Sequence, residues 1–130
     1  MAVTYLCQHC RAAINAQNNI VLSAKTKNEK GLIFLHEELG NYTSIHSATL
    51  KVKEGDVVDV FCPVCHESLN VPDKDTLAKF IRLNEDLNEE FIVISRKYGE
   101  KITFKIDNEK NVETYGGKIS RFIDPNWFLK

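Results

Sequence analysis

Four cysteines carry the most concentrated chemistry in this sequence, and they come as two C-x-x-C pairs, Cys7-Gln8-His9-Cys10 and Cys62-Pro63-Val64-Cys65, with none left over. A two-residue spacer lets one tight turn present two sulfurs to the same ion, and four thiolates meet the tetrahedral preference of zinc at about 2.3 Å. Cys7, Cys10, Cys62 and Cys65 are therefore the expected ligands of one structural metal ion, Zn2+ ahead of iron. With all four positions taken by protein, such an ion has no open site for water and is not expected to be catalytic.

A knuckle needs a strand leading in and a strand leading out. Residues 57–61, the second pair and residues 68–71 read as strand, knuckle, strand; residues 3–6 with the first pair are the weaker copy. Here the chain resembles the zinc-ribbon and rubredoxin-like group of folds. The likeness rests on Cys7-Gln8-His9-Cys10 and Phe61-Cys62-Pro63-Val64-Cys65, and covers the knuckles and their flanking strands only. In that group the residue after each second cysteine is usually glycine, which tolerates positive φ; this chain has Arg11 and His66 there. Either these residues accept strain or the turns differ, and their side chains are placed to offset the negative charge of a four-thiolate site. The 51 residues between Cys10 and Cys62, positions 11 to 61, exceed a minimal ribbon, so the hairpins there read as an insertion.

Rival chemistries fit less of the chain. Cys62-Pro63-Val64-Cys65 has the C-P-x-C form of a glutaredoxin dithiol, but that site needs a helix directly after it, and a strand and Pro72 follow. A metal-releasing thiol redox switch is the better version of that idea. His36-Glu37-Glu38 satisfies the H-x-E of zinc deaminases, yet Pro63 falls after the first cysteine rather than before it, and Cys7 and Cys10 would go unused. His9 and His66 beside the knuckles are expected to be second-layer or exposed residues, and His36 and His46 to be ordinary hairpin residues. No H-E-x-x-H, nucleophile elbow, Walker loop or G-x-G-x-x-G appears.

The elements that would carry these knuckles are mostly strands. Residues 20–27 and 32–36, joined by Asn28-Glu29-Lys30-Gly31, predict a hairpin; 91–96 and 101–107 predict a second, with Ile102, Phe104 and Ile106 on one face; 112–115 adds a strand. Residues 49–53 alternate as a half-buried strand, while 15–19 and 40–47 read as polar links. One short helix is expected, with Asp75 as N-cap and Leu77, Phe80 and Ile81 at helical spacing. The fold class is mainly β, a zinc-ribbon-like core with antiparallel hairpins inserted and appended. The turns at Asn28 and Asn108 look alike, but turn chemistry alone selects such residues, so no repeat is inferred.

At 130 residues, 43% hydrophobic and 27% charged, the chain is read as a single globular domain, residues 1–115, followed by an aromatic tail, 116–130, packed on that domain or on a partner. No apolar run is long enough to suggest a membrane span, and the absence of a secretory signal pattern makes the cytoplasm the expected compartment. A net charge of −1 gives no global footprint for nucleic acid. Another protein is the expected partner. The alternative, a nucleic-acid-binding zinc ribbon, would use Arg96, Lys97, Tyr98, Lys101 and Lys105. The sequence does not set the oligomeric state.

Overall fold

In the computed structural model the described residues are 3–27, 29–39, 44–46, 50, 52–53, 55–71, 77–98, 102–107, 109 and 111–116. They form two antiparallel sheets. The first is ordered β1-β7-β8-β9-β10, from Thr4–Leu6, Leu77–Leu83, Glu89–Ser95, Ile102–Ile106 and Val112–Gly116. The second is β2-β3-β4-β5, from Asn15–Ala16, Asn19–Lys25, Lys30–His36 and Ser44–His46, with β6 (Asp59–Phe61) also paired to β3.

Alternation along the strands builds the core between the sheets. Ile20, Leu22 and Ala24 of β3 and Ile33 of β4 face Tyr5, Ala78, Phe80 and Ile92 of the first sheet, all at most 5% exposed. Tyr5 and Phe80 meet edge to face at 5.7 Å between ring centroids, the arrangement that aromatic quadrupoles favour. A smaller cluster, Val71, Leu77, Val93, Phe104 and Ile106 with Val112, packs on the opposite face of the first sheet.

The predicted helix is instead strand β7. Leu77 belongs to the outer cluster and Ala78 and Phe80 to the inner one, with Ile81 also buried, so apolar residues occur on both faces. A strand buried on both sides loses its period of two and imitates helical spacing. The link expected over 40–47 contains β5 at Ser44–His46, and the loop expected over 15–19 contains β2 and a two-residue turn. That turn, Gln17 and Asn18 at φ 51° and 68°, has the paired positive φ of a type I′ hairpin. Of the strand expected at 49–53, Leu50, Val52 and Lys53 are described and carry no strand pairing. The proposed N-cap Asp75 and tail residues 117–130 lie outside the described residues.

The two sheets are built twice from one plan. β1 enters the first knuckle and pairs with β7, which follows the second knuckle; β6 enters the second knuckle and pairs with β3, which follows the first. The registers correspond: Leu6 opposite Ile81 matches Phe61 opposite Ser23, and Lys25 opposite Lys30 matches Leu83 opposite Glu89. Next, Ile33 opposite His46 matches Ile92 opposite Lys105. The chain is therefore an internal pair of interleaved halves that exchange their entering strands. Equivalent positions carry different residue types, which hides the correspondence in the sequence: cross-strand neighbours Ala24 and Gly31 in one half are Arg82 and Glu90 in the other.

Candidate metal centre

Each half delivers one C-x-x-C pair to the same place. The four Sγ atoms lie within 4.8 Å of one another. Cys7 Sγ is 3.8 Å from Cys65 Sγ, and Cys10 Sγ is 3.7 Å from Cys62 Sγ. A regular tetrahedron with metal–sulfur bonds of about 2.3 Å has an edge of about 3.8 Å, so the closest separations suit a shared ion and are far too long for a disulfide. The donor set of four thiols fits zinc, and iron equally in geometry.

The backbone of the two knuckles is the same. Arg11 N–H donates to Cys7 O at 2.9 Å and His66 N–H to Cys62 O at 3.0 Å. Cys7 N–H donates to Ala12 O at 3.1 Å and Cys62 N–H to Glu67 O at 3.0 Å. Single bridges, Leu6 to Ala13 and Phe61 to Ser68, close each ribbon behind the turn. Glycine is absent, and the positive φ is nonetheless adopted, 62° at Arg11 and 66° at His66. These are the strained positions that the sequence singled out, and the first knuckle is no weaker a copy than the second.

Position in the fold divides the four cysteines. The leading Cys7 and Cys62 are fully buried and belong to the inner core, Cys65 is half-buried, and Cys10 is exposed. The sulfurs receive backbone donors, His9 N–H to Cys7 at 3.3 Å, Val64 N–H to Cys62 at 3.3 Å and Cys65 N–H to Cys62 at 3.4 Å. Such N–H···S bonds disperse thiolate charge and orient the ligands. Arg11 does not serve that purpose with its side chain, which pairs with Glu89. His9 Nε2 sits 3.0 Å from Ser68 O and so ties one knuckle to the strand leaving the other.

The thiols differ in acidity. Burial opposes ionisation of Cys62, but the N–H groups of Cys65 and Val64 and the thiols of Cys7 and Cys10 outweigh it and hold its pKa below the ordinary value. Burial carries Cys7 upward despite the N–H groups of Cys10 and His9. At Cys65 a backbone bond at Glu67 pulls downward, yet desolvation and the bonds to Cys10, Cys62 and Cys7 push it up to about 12. The opposite directions at Cys62 and at Cys7 and Cys65 follow from thiols close enough to influence one another.

Of the residues considered for nucleic acid, Arg96, Lys97, Tyr98 and Lys105 are among the described residues. Arg96 is 7% exposed and points inward, donating to Leu77 O, Val58 O and Asp59 Oδ1, each at 3.1 Å. Lys105 lies 3.2 Å from Glu113 and 3.7 Å from Glu90. Lys97 and Tyr98 are half-buried, and Lys101 lies outside the described residues. His36 Nδ1 accepts Glu38 N–H at 3.0 Å, and His46 stacks edge-on against Tyr98 at 5.8 Å. Sequence reasoning passed over Asn15 and Asn70, whose side chains accept Tyr5 N–H at 3.0 Å and Val60 N–H at 3.1 Å. The available signal was a shared spacing, since Ile14-Asn15 and Leu69-Asn70 follow the two C-x-x-C pairs at equal distance. Among the described residues no helix is long and apolar enough to cross a membrane. The chain matches no protein-family model, no curated protein and no solved structure.

Proposed function

We propose that the chain is a zinc-stapled, non-enzymatic β domain that acts as a protein-interaction or regulatory module, in the manner of a small subunit of a larger assembly. The observation that carries the reading is the meeting of Cys7, Cys10, Cys62 and Cys65, two from each interleaved half, with all sulfurs within 4.8 Å. Four protein thiolates complete a tetrahedral shell, so the ion would supply cohesion between the halves and leave no position for a substrate. Zinc is the ion that such closed sites hold for structure, whereas iron would make the protein coloured and redox-active.

Support for a protein partner comes from the outer face of the second sheet. Ile45 is 62% and Leu32 37% exposed, beside half-buried Val21 and Phe34, whereas Val93 and Phe104, which occupy the places of Phe34 and Ile45 in the other half, are buried. Contiguous exposed apolar side chains of this kind mark contact surfaces more often than they serve stability. The test is capture of partners from the source cell by the wild type and by a Leu32→Lys/Ile45→Lys variant of equal metal content. Proteins retained at stoichiometric levels by the wild type alone are expected. Equal retention by both, or none by either, contradicts the assignment.

A further inference from the structure

Each knuckle ribbon ends at a fork, because its entering strand belongs to one sheet and its leaving strand to the other. In the first ribbon the last backbone rung is Ile14 N–H to Tyr5 O at 2.8 Å, and the next residue, Asn15, already pairs with Ile20 in the second sheet. In the second ribbon the last rung is Leu69 N–H to Val60 O at 2.8 Å, and Asn70 bridges to Ala78 in the first sheet. Tyr5 and Val60 are 0% and 3% exposed, so an unmet N–H at the fork would be costly. The asparagine side chain spans the gap in both cases, Oδ1 accepting the N–H at 3.0 Å in one and 3.1 Å in the other. Its amide nitrogen is engaged as well: Asn15 Nδ2 donates to Val3 O at 2.9 Å and Glu37 Oε2 at 3.0 Å, and Asn70 Nδ2 to Asp59 Oδ1 at 3.2 Å.

We propose that Asn15 and Asn70 are positioning residues of the metal site, so that the binding unit of this fold is C-x-x-C-x-x-x-[Ile/Leu]-Asn used twice. The inference rests on the metal-staple reading. The clamped residues stand two positions before Cys7 and Cys62, the buried ligands whose places are fixed by the ribbon rather than by the knuckle tip. Ile14 and Leu69, one residue earlier than each asparagine, are 3% and 0% exposed and seat the leaving strand in the core. With the fork clamped, Cys7 and Cys62 approach from two different sheets at a fixed spacing. Without it, the entering strand is free to splay, and the two knuckles lose register before the sheets separate.

Cobalt(II) titration of the whole protein tests this, because cobalt in four thiolates reports ligand number and geometry by its visible and charge-transfer bands. The variants are Asn15→Leu, Asn70→Leu and the less intrusive Asn70→Ser, which replaces Asn70→Leu if the latter does not fold. Val93→Ala, in the cluster on the far face of the first sheet, serves as a control that lowers stability away from the knuckles. The asparagine variants are expected to bind cobalt about 10–100-fold more weakly than wild type, with altered bands, as loss of outer-layer support does in other metal sites. Val93→Ala is expected to melt earlier yet bind within about 2-fold, since linkage to folding is small while the native state dominates. Cobalt binding by the asparagine variants equal to that of Val93→Ala overturns the positioning role. A wild type without the four-thiolate spectrum overturns the metal-staple reading, and this inference with it.

Discussion

His66 occupies a left-handed backbone position, φ 66°, and its side chain is exposed, so it bears a conformational cost that burial does not offset. A β-carbon in that region costs about 1 kcal/mol relative to glycine, part of which glycine returns through its looser unfolded chain. His66→Gly is expected to raise the melting temperature by a few degrees with metal stoichiometry unchanged; a lowered melting temperature would show that the imidazole contributes to the site. Arg96 presents the opposite case, a buried cation whose guanidinium meets Val58 O and Leu77 O. Its ion pair with Asp59, whose side chain is 54% exposed, adds little. The orphaned carbonyls should dominate, so Arg96→Met is expected to cost about 2–4 kcal/mol by denaturant unfolding. A loss below about 1 kcal/mol would mean that water replaces the guanidinium. A metal held by these four cysteines would need them as thiolates, so it is expected to be retained at neutral and alkaline pH and released as pH falls and protons compete for the sulfurs. Release that does not steepen with acidification would contradict thiolate ligation.

Strand β7 shows most clearly where elements were and were not legible. Its neighbours declared themselves, since the hairpins β3–β4 and β8–β9 combine alternation or apolar runs with polar turns. β7 lies between two apolar layers, and Leu77, Phe80 and Ile81 at helical spacing imitate an amphipathic helix. Only the tertiary setting separates the two, because the outer cluster that covers Leu77 is assembled from β8, β9 and β10. Phe80 is fully buried against Tyr5, and Phe80→Ala is expected to cost about 3–5 kcal/mol and to lower the melting temperature sharply. A loss under about 1 kcal/mol would contradict this burial of Phe80 between the sheets. Short β5 was missed for a different reason, since Ser44–His46 gains its strand character from pairing with β4 rather than from its own pattern.

At the scale of the whole molecule, the site was readable and the plan behind it was not. Four cysteines in two equal pairs predict by chemistry alone that the sulfurs meet, and they converge. The correspondence of the halves lies in hydrogen bonds and registers while the side chains between them differ, as at Ala24 and Arg82, so in the sequence it shows in the two C-x-x-C pairs and in Ile14-Asn15 and Leu69-Asn70. Interleaving would give a metal bound at the four cysteines its leverage. It would join two halves that already exchange strands and close a loop of 51 residues, positions 11 to 61. A crosslink over that span removes unfolded-state entropy worth roughly 4 kcal/mol before ligand bonding is counted. The most direct measurement is thermal unfolding of protein of known metal content, with and without a strong chelator under reducing conditions. About one zinc per chain and a melting temperature lowered by roughly 10 °C or more on chelation are predicted. Protein that carries no stoichiometric metal, or that melts at the same temperature after its metal is stripped, would contradict the account.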